Sequence, residues 1–200
     1  HTQHHVNCII SLTDNGRVWL VDHEYALRRA CDHSGLVSMQ DGVFREPEYQ
    51  AFVRLSADLP HTGLLRTETG LGDLAWQRSI LWLKGRWFAV LDDLTAAKPA
   101  EYFLRGSWRG LGAAELFPDG LNLTQGDQRL RIATDGQDSL DLTTVRFSMD
   151  SEWTSFYGLK DAAANVLRRD RVADLAAGAS TGFGTLRRNP RITQTTSGSR

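Results

Sequence analysis

From Val6 to about Met149 the chain alternates short apolar and polar stretches, rich in β-branched and aromatic residues, with turn signals roughly every eight to twelve residues. Helical periodicity is almost absent. The clearest unit runs from Trp76 to Leu94: Trp76, Arg78, Ile80 and Trp82 alternate against Gln77, Ser79, Leu81 and Leu83. Lys84-Gly85-Arg86 then turns the chain into Trp87-Phe88-Ala89-Val90-Leu91, which predicts a hairpin in the middle of a sheet, packed on both faces. A second hairpin is predicted from strands at 8–12 and 17–22, because Asn15-Gly16 between them supplies the positive φ angles of a tight turn. Further strands are expected near 35–39, 50–57, 63–69, 101–108, 121–124, 129–133 and 142–149. Asp161 followed by Ala162, Ala163 and Ala164 predicts a short helix over 161–169. Strands at 172–175 and 181–186 read as a last hairpin around Ala177-Gly178, and 193–200 as a disordered polar tail. The pattern predicts an all-β, antiparallel two-sheet β-sandwich over 1–192, with room for a smaller C-terminal β lobe after Phe117.

Composition narrows the function more than the fold. The chain has 200 residues, 41% hydrophobic and 24% charged, enough for one good core or two small ones. A formal net charge of -1 and no basic block argue against nucleic acid or an anionic membrane as partner. No apolar run approaches the ~20 residues that span a bilayer. The opening on His1 rather than methionine is expected to mean that something upstream was removed, which leaves the compartment open.

Cys8 and Cys31 can form one disulfide, remain two buried thiols or lie near a metal; buried thiols are the commonest of the three in such a chain. Asn122-Leu123-Thr124 fits the glycosylation pattern, a weak signal at this length. Trp76, Trp82 and Trp87 lie among apolar neighbours and are expected in the core rather than on a carbohydrate platform. Arg28, Arg29 and Arg66 can meet an anionic sugar but are more often solvated surface. The cluster that can do chemistry is His1, His4, His5, Asn7, Asp22 and His33. If the Asn15-Gly16 turn closes its hairpin, His5 is expected across from Asp22, with His33 a short excursion away. Two imidazoles and a carboxylate make a known zinc set, with ligand distances of about 2.0–2.2 Å. On spacing alone, a solvated tail or satisfied polar groups at a sheet end are the commoner fate of such histidines.

The run Gln3-His4-His5-Val6-Asn7, leading to Gly16-Arg17-Val18-Trp19-Leu20-Val21-Asp22, then to Asp32-His33-Ser34-Gly35-Leu36-Val37 and Asp41-Gly42, resembles the start of the heparinase II/III-like domain of polysaccharide lyases. Gln77-Arg78-Ser79, the Lys84-Gly85-Arg86-Trp87-Phe88 turn and Val90-Leu91-Asp92-Asp93 resemble its arginine strand and a later hairpin. These motifs cover about the first half of the chain.

The resemblance implies that His5, Asp22 and His33 hold a structural zinc ion beside the active-site cleft. Gln3 stands where the family has its catalytic histidine and Asn7 where aspartate is common, so His4 becomes the stand-in catalytic candidate; on a regular strand it points away from His5. Tyr25 and Gln3 are the implied substrate-binding residues. The implied activity is β-elimination on a uronate-containing acidic polysaccharide, in a secreted or periplasmic setting. It needs the family's own N-terminal helical domain, which supplies the proton-abstracting and charge-neutralising groups, so this chain alone is expected to be inactive. The competing expectation is a non-catalytic carbohydrate-binding or structural sandwich.

Overall fold

The structure, a computed structural model, describes residues 6–22, 30, 33–146 and 163–188. Fifteen strands are present among them: β1 (Ser11–Asp14), β2 (Arg17–Val21), β3 (Leu36–Gln40), β4 (Val43–Arg45), β5 (Phe52–Asp58), β6 (Thr62–Leu71), β7 (Leu74–Leu83) and β8 (Trp87–Ala96). They continue with β9 (Ala100–Gly110), β10 (Ala113–Phe117), β11 (Gly120–Gln125), β12 (Gln128–Thr134), β13 (Ser139–Arg146), β14 (Ala163–Leu175) and β15 (Ser180–Arg188). All named pairs are antiparallel. A seven-stranded sheet runs β1-β2-β9-β14-β13, with β3 also on β9 and β4 on β3. An eight-stranded sheet runs β10-β11-β12-β15-β8-β7-β6-β5. The strands after Phe117 therefore join the same two sheets as those before it.

The first turn forms as its residues dictate: Asn15 and Gly16 sit at φ 49° and 70°, and Asp14 pairs with Arg17. Three expectations differ. Residues 163–169 are extended in β14, which pairs with β9 from Asn165↔Gly110 to Leu175↔Ala100. Ala164, Val166, Leu167 and Arg169 are all at most 2% exposed. Burial on alternate faces and a full ladder outweigh the few tenths of a kcal/mol per residue by which alanine favours helix. The last hairpin also differs, since β14 belongs to one sheet and β15 to the other. Gly178, at φ 79°, reverses the chain, but reversal chemistry does not decide which sheet receives the next strand. Finally, β7 and β8 are central in their sheet but covered on one face. Leu81 and Leu91 point outward at 42% and 50% exposure, and Trp82, which was expected in the core, is 47% exposed.

The inner faces make a core in two parts. At one end Leu36, Tyr102, Leu104 and Leu175 of the seven-stranded sheet pack on Leu71, Leu74, Trp76, Leu94 and Phe183 of the other. At the other end Trp19, Leu20, Trp108 and Leu167 pack on Val90, Leu121, Leu123, Leu130 and Ile132. Between them lies a belt of charge. On β7, Arg78 follows Trp76; on β8, Asp92 precedes Leu94; on β14, Arg169 follows Leu167; on β15, Thr185 and Arg187 follow Phe183. Arg78 is paired twice with Asp92, at 2.7 and 2.9 Å. Arg169 and Arg171 share Asp138, whose side chain is fully buried, and both reach Asp135. Burial alone would raise the Asp135 carboxyl; the Gly184 N–H, then Arg169 and Arg171, hold it below its ordinary range.

The outer face of the eight-stranded sheet carries an unusual row. Ala57, Leu64, Leu81, Ala89, Leu186 and Ala133 are successive cross-strand partners from β5 through β6, β7, β8 and β15 to β12. Direct partners share a face, so these side chains form one apolar stripe.

Candidate functional site

Asp22 and His33 are brought together where β2 ends and β3 is about to begin. Asp22 directly follows β2, whose Trp19, Leu20 and Val21 are anchored in the interior at 3% exposure or less. His33 closes a tight bend in which its N–H donates to the Ala30 carbonyl at 3.2 Å, while the Gly35 N–H donates to the His33 carbonyl at 3.1 Å. The imidazole is 4% exposed and the carboxylate 20%. His33 Nδ1 and Asp22 Oδ1 form a direct hydrogen bond. With the carboxylate ionised, Nδ1 carries the hydrogen, which fixes the tautomer and the ring plane.

Arg78 holds this corner to the sandwich. Its Nη1 donates to the Asn7 carbonyl at 2.7 Å and to the Ser34 carbonyl at 3.3 Å, while Nε and Nη2 hold Asp92. Asp92 Oδ1 also accepts from the Trp76 indole at 2.8 Å. One guanidinium thus joins both chain segments of the candidate site to the eight-stranded sheet. Ile9 and Ser34 form an isolated bridge, and Ser34 Oγ accepts from the Arg109 N–H at 3.1 Å. Asn7 sits at φ 66°, and its side-chain oxygen accepts from the Thr67 hydroxyl.

Cys8 lies against Gly35, where an added Cβ would meet Cys8 Sγ at 2.2 Å. Burial pushes its thiol up to about 12; nearby Arg78 opposes this, and Asp22 and Asp92 add to it. It is a free, protonated thiol at neutral pH.

The expectation that His5 lies across from Asp22 falls on a residue outside the described ones. β1 pairs Ser11 with Val21, with a bulge between Leu12 and Thr13, and upstream of Ile10 the chain bridges to Ser34 at Ile9 instead of continuing along β2. His1, Gln3, His4, His5, Tyr25 and Cys31 lie outside the described residues, as do Arg28 and Arg29. Among the described residues no group of three metal-ligating side chains occurs. Arg66 is half-buried and donates to Ser79 Oγ at 3.0 Å. Asn122 is 9% exposed inside β11, and its amide oxygen accepts from Arg131 at 3.2 Å, so the glycosylation pattern falls on an inaccessible strand residue. The brace residue Arg78 was visible in sequence as an arginine on an apolar strand that resembles the family's arginine strand; that it reaches the distant Asn7 and Ser34 carbonyls is announced by no local pattern.

The arrangement presents a buried, oriented imidazole-carboxylate pair, which can hold a metal ion or carry a proton, set on a rigid two-sheet frame. No family profile matches the chain, and no curated protein matches it by sequence. Solved structures do. Heparan sulfate lyase HepC from Pedobacter heparinus matches with a TM-score of 0.67 at 16% identity, covering 90% of this chain and 29% of that one. A heparinase III structure matches with a TM-score of 0.70 at 11% identity, again covering 90% of this chain and 29% of its own. A 4-alpha-glucanotransferase from Thermococcus litoralis matches less closely, with a TM-score of 0.53 at 10% identity over 84% of this chain and 28% of that one. The chain therefore spans under a third of these proteins and shares its fold with the β-sandwich region of heparinase III-type lyases.

Proposed function

We propose that this chain is the β-sandwich part of a polysaccharide lyase that cleaves a uronate-containing acidic polysaccharide by β-elimination, in a secreted or periplasmic setting. The likeness of 90% of the chain to heparan sulfate lyase and heparinase III structures carries this reading. The Asp22–His33 pair supports it, because it stands at the corner where the sequence resemblance places the site. The chain spans 29% of those lyases; on this reading the proton-abstracting and charge-neutralising groups would come from a helical domain outside the given sequence. Gln3 and Tyr25 would meet the sugar, and His4 would stand in for the family's catalytic histidine.

His5, Asp22 and His33 are the proposed zinc ligands. His33 Nδ1 and Asp22 Oδ1 face each other directly, and zinc held between them would displace the hydrogen that Nδ1 otherwise donates to the carboxylate. Bound zinc would supply a fixed divalent charge that ties the opening segment to β2 and to the bend before β3; Arg78 braces the same two segments without it. A second reading, a non-catalytic carbohydrate module, is favoured by the glucanotransferase likeness, since one sandwich accompanies different chemistries.

Elemental analysis of the purified chain tests the metal: about one zinc per molecule is expected, and Asp22→Ala or His33→Ala should lose it together with the drop in melting temperature that a chelator causes in the unsubstituted chain. Metal-free protein indifferent to chelator would end the zinc assignment. Activity is read with the full-length protein, as ultraviolet absorbance from a new unsaturated sugar across heparan, hyaluronan and alginate. No absorbance on any acidic polymer would favour the binding module.

A further inference from the structure

We propose that the inner face of β5, β6 and β7, where it runs out past the interior, is a subsite for the sugar rings of an acidic polysaccharide, with Trp82 as stacking platform and Lys84 as the contact to a sugar carboxylate. The class of ligand rests on the lyase reading; the geometry does not.

On β7 the core-facing positions are Trp76, Arg78, Ile80 and Trp82, and their partners on β6 are Thr69, Thr67, Leu65 and Gly63. On β5, Val53, Ser56 and Asp58 continue the rows of Thr67, Leu65 and Gly63 on the same face. Burial falls away along these rows. Trp76 is fully buried and Arg78 is 2% exposed, whereas Leu65 is 37%, Trp82 47% and Val53 64% exposed. Beyond Ile80, which still packs into the interior, the core face emerges into solvent as an apolar ledge. An exposed apolar surface rimmed by polar groups is the usual form of a binding groove.

The end of the ledge is a shaped site. Gly63 lies close against the Trp82 ring, where an added Cβ would stand 3.6 Å from Cε3. The Lys84 ammonium is 5.6 Å from the ring centroid and donates to the carboxylate of Asp58, itself 80% exposed. The indole face is thus bordered by a donor and an acceptor. A pyranose ring has the matching form, with C–H groups on its faces and hydroxyls around its edge. An ammonium has three donors, so Lys84 can hold a uronate carboxylate while keeping Asp58. The other end of the ledge reaches the candidate site. The Thr67 hydroxyl donates to the Asn7 side-chain oxygen, and Arg78 holds the Asn7 and Ser34 carbonyls. From Thr67 to Gly63 the strand advances about 13 Å, so a polymer seated on Trp82 can run along the ledge towards Asp22 and His33.

The test uses the 200-residue chain in native gels cast with alginate, heparan sulfate or uncharged dextran. The acidic polymers should retard it more than dextran does. Trp82→Ala should weaken that retardation about tenfold and Trp82→Phe much less, with melting midpoints near that of the unsubstituted chain, as expected for a half-exposed side chain. Lys84→Met should narrow the difference between acidic polymers and dextran. In the unsubstituted chain, the indole N–H resonance of Trp82 should shift on titration with alginate oligosaccharides, a measurement that needs no variant to fold. A resonance that stays in place, no retardation, retardation unchanged in Trp82→Ala, or equal retardation by dextran would each overturn the subsite. The lyase reading would then still stand or fall on the ultraviolet assay of the full-length protein. Retardation that depends on Trp82, without cleavage in that assay, would keep the subsite and assign it to a binding module.

Discussion

At the residue scale the energetics concentrate in Arg78 and Asp92, which are 2% and 3% exposed and meet through two charge-assisted hydrogen bonds. Taking one member away leaves the other charged in a dry interior. Asp92→Ala should therefore destabilise the chain by about 3–5 kcal/mol, read from urea unfolding. The double variant Arg78→Met with Asp92→Leu should lose markedly less than the sum of the two single changes, because neither then buries a lone charge. Additive losses would mean that the two residues act through separate contacts. Arg187, 1% exposed and stacked on the Trp108 ring, has no hydrogen-bond acceptor among the described residues.

At the scale of elements, the segment leading into β3 is defined by a close approach rather than by strand propensity. Gly35 has no room for a methyl group beside Cys8 Sγ, and its carbonyl accepts from the Ser107 N–H at 2.9 Å, so it cannot retreat without breaking that bond. Gly35→Ala should cost about 1–3 kcal/mol by overpacking. Adding Cys8→Ala should recover most of the loss, because the atom that collides is the sulfur; Cys8 Cβ lies 3.4 Å from the added carbon. No recovery in thermal melts would show that the backbone of the bend, not the thiol, sets the limit. Displacing this bend would shift His33 as well, since its carbonyl is bonded to the Gly35 N–H.

At the scale of the whole molecule, the apolar row from Ala57 to Ala133 on the outer face of the eight-stranded sheet departs from the polar solvent face usual for antiparallel sheets. Leu81 and Leu186 are each 42% exposed within it. The isolated chain should self-associate as its concentration rises, and Leu81→Lys with Leu186→Lys should lower that association in light scattering while changing stability by about 0.5 kcal/mol or less. Association unchanged by the two lysines would place the contact on another face.

The sequence by itself determined the all-β class, most strand positions and the first hairpin, because alternation and the Asn15-Gly16 turn act over a few residues. It also brought Asp22 and His33 forward as a candidate pair, through the resemblance and through their place at the ends of predicted strands. Only the tertiary structure decided that 163–169 is strand, that β14 and β15 lie in different sheets, and that Trp82, on the same strand face as Trp76 and Arg78, is left 47% exposed. Each of these depends on which sheet covers which face, a relation between residues far apart in the chain. The interior charge belt is the sharpest case. Arg78, Arg169, Arg171 and Arg187 look in sequence like polar positions on three strands, and only the packing of two sheets against each other encloses them.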